Sequence, residues 1–325
     1  MKSKISKITL ATLLLAMVVL LAVNPVMTTR AVPIRPRIIP TIGNAELQGD
    51  IWYVDGNAAT AGGNGKSWAS PMQSLATAMA ASHADIARSA DRQWAGRNTI
   101  YVKADEITAD FTTMAQKTDI IGVGSNDGYK KAGITGTWII PDTVSYLGCR
   151  FFNMMFTDAG ASAIFDMDTQ GGIEFHDCLF DASAATTIGI NAKDCSWLVV
   201  NGCEFSAVSA SAEFDTACIQ VDDGDNSIYG CRIAGNIMTG AAIGIDWDDT
   251  AAYNCFIVDN YIRAVGLTID EEGDNVFVIN NRLITDVDTT TSTAGYDFNI
   301  QLSAGNIQMG VTGLGDTIPF AKVAE

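Results

Sequence analysis

A chain of 325 residues, 48% of them apolar, is long enough to bury one sizeable core. Its 20 basic and 37 acidic side chains leave a formal net charge of −17. That balance argues against nucleic acid and anionic membrane surfaces as partners, and against an acidic polysaccharide unless Ca2+ bridges the two.

The N-terminus places Lys2, Lys4 and Lys7 ahead of an apolar run over residues 8–23. A basic start before about 16 apolar residues has the form of a secretory signal. Thr29 and Ala31 supply the small pair of a cleavage site, so the expected leader covers 1–31 and the expected location is secreted or at the cell surface. As an uncleaved anchor the run is short, because a span takes about 20 residues. Residues 32–49 carry Pro33, Pro36 and Pro40 and read as an extended linker.

Strand-like alternation begins at Ile51-Trp52-Tyr53-Val54, closed by Asp55-Gly56. A loop follows at Gly62-Gly63-Asn64-Gly65-Lys66-Ser67-Trp68. Ser70 as N-cap and Pro71 as first helical residue then predict a helix over 71–81, with Met72, Leu75, Ala76 and Met79 on one face. A stack of repeats exposes core and strand edges at its open end, so this helix is expected to cap the N-terminal end.

The second half repeats a pattern: apolar, any, small or polar, Cys or Asn, any, apolar. It appears around Met154, Cys178, Cys203, Cys231, Asn260 and Asn281. Returns at about 25 residues mean stacked units, none able to bury its own apolar face. The segments between are short, β-branched and closed by Gly, Asn or Asp, with no helical run of about ten residues. One coil of a parallel β-helix fits this. The expected fold is therefore all-β, a right-handed parallel β-helix of about eight to ten coils over residues 50–305. Residues 306–325 are expected to be irregular and to cover the far end. Equivalent positions should lie above one another, which predicts a reduced, stacked ladder of Cys178, Cys203 and Cys231, continued by Asn260 and Asn281. No C-x-x-C pair occurs, so zinc is not expected.

Three acidic clusters follow strand-like segments: Asp222-Asp223-Gly224-Asp225, Asp246-Trp247-Asp248-Asp249 and Asp270-Glu271-Glu272-Gly273-Asp274. Turn chemistry alone favours such residues. Stacked on one side, they also make an acidic stripe of hard oxygen ligands, with Asp222, Asp223 and Asp248 the candidate Ca2+ ligands. Trp138, Trp197, Trp247, Tyr229, Tyr253 and Tyr261 lie in the coils, and those that point outward offer platforms for sugar rings. The two histidines, His83 and His176, read as structural, and no Ser-His-Asp triad is available.

Tyr53-Val54-Asp55, Gly65-Lys66-Ser67-Trp68 and the Pro71-led helix together resemble the front end of secreted β-helix proteins of the pectate-lyase-like superfamily. The resemblance covers residues 50–300. It implies the β-helix fold, which hosts lyases, hydrolases, adhesins and viral fibre proteins. A lyase of this kind uses Arg or Lys as base beside Ca2+, which singles out Arg232 and Arg282 as candidate catalytic residues. The Gly-His-Gly and Arg-x-Lys elements of polygalacturonase-like hydrolases are missing. The leading expectation is a non-catalytic secreted or surface-displayed protein that binds a polysaccharide or cell-surface glycan, or builds an extracellular structure. The alternatives are a Ca2+-dependent lyase acting on uronate polymers and a viral fibre or appendage protein.

Overall fold

A computed structural model describes residues 49–310 and 321–322, except 60–61, 89, 105, 125–131, 144, 158–161, 183–185, 208–213, 223–226, 249–251, 272–275, 285, 289–294, 298 and 304–305. These residues belong to one compact unit, Asn44–Glu325. The expected leader 1–31 and the linker up to residue 48 lie outside them, as do Asp223, Gly224 and Asp225 of the first acidic cluster.

The chain is an all-β parallel solenoid. Its first sheet is ten strands deep, in strict chain order: Ile51–Val54, Asn98–Lys103, Thr118–Val123, Arg150–Phe152, Glu174–His176, Val199–Asn201, Arg232–Ala234, Cys255–Val258, Val276–Ile279 and Gly295–Asp297. Each strand pairs in parallel with the one a pass later, as Glu174 opposite Arg150 and Val199 shows. A second, 16-stranded sheet holds two further stacks. One runs through Met154–Thr157, Leu179–Ala182 and Glu204–Ala207, and the other through Ala163–Asp168, Thr186–Lys193 and Phe214–Asp222. They merge in the long strands Ile237–Asp248 and Tyr261–Glu271.

Alternation along each strand sends every second side chain inward, where register turns it into a column. Ile100, Ile120, Phe151, Phe175, Val200, Ile233, Ile257 and Val278 form such a column, all fully buried. Phe151 stacks on Phe175 at 5.2 Å and Phe180 on Phe205 at 4.6 Å, while Trp138 lies between Phe111 and Phe165 at 4.0 and 5.1 Å. Each such side chain contributes about 1.5–3 kcal/mol by leaving water.

Two kinds of corner flank the first sheet, and both use left-handed backbone. On leaving it the chain passes Asn153, Asp177, Gly202, Gly235, Asp259 and Asn280, with φ between 52° and 66°. On entering it the chain passes Lys117, Gly148, Gly172, Trp197, Gly230 and Asn254, with φ between 46° and 71°. Gly, Asn and Asp dominate because other residues pay about 1–2 kcal/mol there. In both corners the next residue turns inward. After the leaving corner these are Met154, Cys178, Cys203, Asn236, Asn260 and Asn281, and after the entering corner Thr118, Cys149, Ile173, Leu198, Cys231 and Cys255, all buried.

This corrects the expected sulfur ladder. Cys178 and Cys203 share the leaving corner, but Cys231 belongs to the entering corner, in one column with Cys149 and Cys255. The position above Cys203 belongs to Asn236, 33 residues on, whose Oδ1 accepts from the Cys203 N–H at 2.8 Å. Asn236, Asn260 and Asn281 then make a three-rung amide ladder, each side chain accepting from the rung below. The repeat pattern misplaced Cys231 because a left-handed residue followed by a small buried one describes both corners. All seven cysteines are buried, and none is in a disulfide.

The N-terminal helix spans Leu75–Ala87, later than the expected 71–81. Its N-cap is Ser74, whose Oγ accepts from Thr77 N. Pro71-Met72 is instead extended: Met72 N donates to Tyr53 O and Asp55 N to Met72 O, both at 2.9 Å, an edge bridge that overrides the Ser-Pro start signal. The helix buries Leu75, Ala78, Met79, Ser82 and Ile86. Ser82 meets Thr118 at 2.6 Å and accepts from Asn98 at 3.1 Å, on the second and third strands of the first sheet. At the other end the described residues are not irregular. Asn299–Ser303 pairs antiparallel with Asn306–Gly310, which pairs antiparallel with Ala321–Lys322.

Candidate functional site

The entering corner carries a continuous backbone ladder. The N–H of each left-handed residue donates to a carbonyl one pass later: Lys117 to Leu147, Gly148 to Gly171, Gly172 to Ser196, Trp197 to Tyr229 and Gly230 to Tyr253, at 2.6–2.9 Å. Side chains on this corner therefore recur at the spacing of coils, about 4.8 Å. Four large apolar or aromatic ones point to solvent: Leu147 is 45% exposed, Trp197 58%, Tyr229 46% and Tyr253 43%. The tyrosine rings stack at 5.1 Å.

Trp197 occupies a left-handed position, φ 57°, that other coils give to Gly, Lys or Asn. Gly230 makes room for it: a Cβ there would meet the Trp197 Cδ1 at 2.7 Å. The indole thus lies over Gly230 of the next coil.

Two residues beyond this corner, the first outward row of the first sheet begins. Its register is Asp119, Arg150, Glu174, Val199, Arg232, Phe256 and Phe277. Arg150 grips Asp119 with two hydrogen bonds of 2.7 Å, and Arg97 adds a third at 2.8 Å. Burial works against the Arg150 charge, yet the hydrogen bond and charge of Asp119 outweigh it and hold its pKa above the ordinary value. Glu174 Oε2 lies 2.8 Å from His176 Nε2, and His176 stacks on Phe152 at 4.9 Å. That hydrogen bond, against the opposing effect of burial and with help from Arg150, lowers the Glu174 pKa. Arg232 is exposed, and its guanidinium has no ion-pair or hydrogen-bond partner among the described residues.

The residues expected from sequence are distributed as follows. Arg232 is on the first sheet opposite Val199 and Phe256, whereas Arg282 is on the second, opposite Tyr261 and 5.3 Å over its ring. Entering-corner and leaving-corner segments again look alike in sequence, so the two arginines do not share a site. Asp222 and Asp248 are direct cross-strand partners on adjacent coils, and Lys193 pairs with Asp222 from the other side. Asp223 lies outside the described residues, and among those described no group of three or more His, Cys, Asp or Glu converges on a point. Trp138 and Trp247 are core residues, Tyr261 is half-buried, and Trp197, Tyr229 and Tyr253 are outward. Sequence reasoning missed the Asp119–Arg150–Glu174–His176 cluster. Glu174 and His176 are two apart on one strand, but Asp119, Arg150 and Glu174 are separated by 31 and 24 residues, and only the register brings these three together.

Comparison with known proteins found no matching family model, no matching curated protein and no matching solved structure.

Proposed function

We propose that this solenoid binds a glycan chain along the entering corner, with Trp197 as the central platform and Tyr229 and Tyr253 beside it. A secreted or surface-displayed location belongs to the same reading and rests on the basic and apolar N-terminal sequence. The single observation that carries it is Trp197: a bulky aromatic held at φ 57°, 58% exposed, on a glycine floor. A left-handed conformation disfavours a tryptophan by about 1–2 kcal/mol, and strain of this kind concentrates at functional positions. A core role does not account for it, since the side chain faces water. Exposed aromatic faces are suited to pyranose rings, which present an apolar C–H face and polar edges.

The test is affinity electrophoresis through gels containing soluble polysaccharides, for the wild type and Trp197→Asn. Asn tolerates the left-handed backbone, as Asn254 does two corners further on. Retarded migration of the wild type and its loss in the variant, with the thermal midpoint within a few degrees, is the expected result. Unchanged retardation in Trp197→Asn refutes the platform. A collapse of stability would show that Trp197 is a structural residue.

A further inference from the structure

Trp197 is bracketed by opposite charges. Its strand continues to Val199, which pairs with Glu174 one coil before and with Arg232 one coil after. Both alternate with buried neighbours, Phe175 and Ile233, so both face outward on the same row. Their Cα atoms are two strand spacings apart, about 10 Å, with the indole's coil between them. Glu174 is pre-positioned, because His176 holds its Oε2 at 2.8 Å and leaves Oε1 for a ligand. Arg232 is committed to no partner among the described residues, unlike Arg150 and Arg97, which converge on Asp119.

We propose, resting on the glycan-binding reading above, that Glu174 and Arg232 are the hydrogen-bonding arms of the Trp197 platform and that together they select an uncharged polyhydroxy sugar chain. A sugar hydroxyl both donates and accepts, so one ring edge satisfies the carboxylate and another satisfies the guanidinium. A uronate seated on the indole places its carboxylate within reach of Glu174. An amino sugar places its ammonium within reach of Arg232. Each charged ligand gains at one arm and is repelled at the other, whereas the neutral chain gains at both. The chain's net charge of −17 adds a further general bias against polyanions.

A glycan array carrying neutral, uronate and amino-sugar oligomers, probed with the wild type, Glu174→Gln, Arg232→Gln and Trp197→Asn, tests this. Glutamine keeps hydrogen-bonding capacity and removes the charge. The wild type should bind neutral oligomers about tenfold or more above charged ones of the same linkage. Glu174→Gln should gain uronate binding, and Arg232→Gln should gain amino-sugar binding. Each should lose about threefold to tenfold on neutral chains. Arg232 is exposed, and its guanidinium forms no ion pair among the described residues, so its variant should fold even if Glu174→Gln disturbs the His176 contact. If Trp197→Asn abolishes binding but neither charge variant alters the ranking of ligands, the arms are wrong and the platform stands. If the wild type binds no member of the array, both fall.

Discussion

Asn260 is the middle rung of the amide ladder, 2% exposed, and its replacement measures what one defect costs a stacked fold. Its Oδ1 accepts from the backbone N–H and from Nδ2 of Asn236, both at 3.0 Å. Its Nδ2 donates to Ile233 O at 3.0 Å and to Asn281 Oδ1 at 2.9 Å. In Asn260→Ala, Asn236 Nδ2 keeps Val200 O and Asn281 Oδ1 keeps the residue 260 N–H. The Asn236 N–H and the Ile233 carbonyl lose their partner on the rung. The buried donor left unpaired costs about 1–3 kcal/mol and the side-chain bond lost at the carbonyl, which keeps its place in the strand ladder, about 0.5–1.5 kcal/mol, so the predicted loss is about 1.5–4.5 kcal/mol. Asn260→Asp keeps the acceptor and loses the donor. Burial raises the folded-state pKa of the new carboxyl above its unfolded value of about 3.9. Its deficit relative to wild type is therefore smallest below that unfolded value, where a protonated acid can donate, and grows as pH rises through the folded value. Urea denaturation followed by circular dichroism, at acidic and neutral pH, reads both effects. A loss below about 1 kcal/mol for the alanine variant, or an aspartate variant with no pH dependence, would refute the ladder as a source of stability.

Four further outcomes are expected. Trp197→Asn loses glycan retention while its stability stays within about 1–2 kcal/mol of wild type, because relief of backbone strain offsets lost packing; Trp247→Asn, a fully buried change, should cost about 3–5 kcal/mol in the same thermal scan. The lowered Glu174 pKa contributes stability above the unfolded carboxylate value of about 4.3 and loses it as pH falls through the folded value, so the melting-temperature gap between wild type and Glu174→Gln should close in acid. Burial pushes the Cys149 and Cys195 thiols up to about 12 and raises Cys203 too, while the hydrogen bond that the Cys231 thiol makes to Cys255, with burial, raises Cys231. An alkylating agent near neutral pH should leave the native protein unlabelled and label all seven cysteines once it is denatured without reductant; fewer labels would reveal disulfides. Asp222 and Asp248 face each other across adjacent strands, so Ca2+ should raise the melting temperature above matched NaCl, and Asp248→Asn should remove the excess; equal effects of the two salts would leave only a solvated acidic surface.

The fold was open to reading in the primary structure because stacking imposes the same demands on every coil. A left-handed corner favours Gly, Asn or Asp, the residue after it must be buried, and alternate strand positions must be apolar. Gly202-Cys203 and Asn280-Asn281 display that demand openly. The same economy hid the phase. Gly230-Cys231 meets the demand at a different corner, and with it Arg232 moved to the first sheet while Arg282 remained on the second. Sequence periodicity reports that a unit repeats, but not which of two like corners a given repeat marks.

Local sequence therefore determined that this chain stacks as a parallel β-solenoid, and which residue types its turns and core require. Only the tertiary structure decided which aromatic side chains face water. Trp138 and Trp247 differ from Trp197 in nothing that composition records, yet the first two follow inward strand parity and the third sits on a glycine-floored corner. The Arg150–Asp119 pair and the placing of Glu174 and Arg232 around Trp197 are likewise products of register. A parallel stack brings residues some 25–30 positions apart to within one strand spacing, about 4.8 Å, and a shift of one residue in any coil would send them to the opposite face.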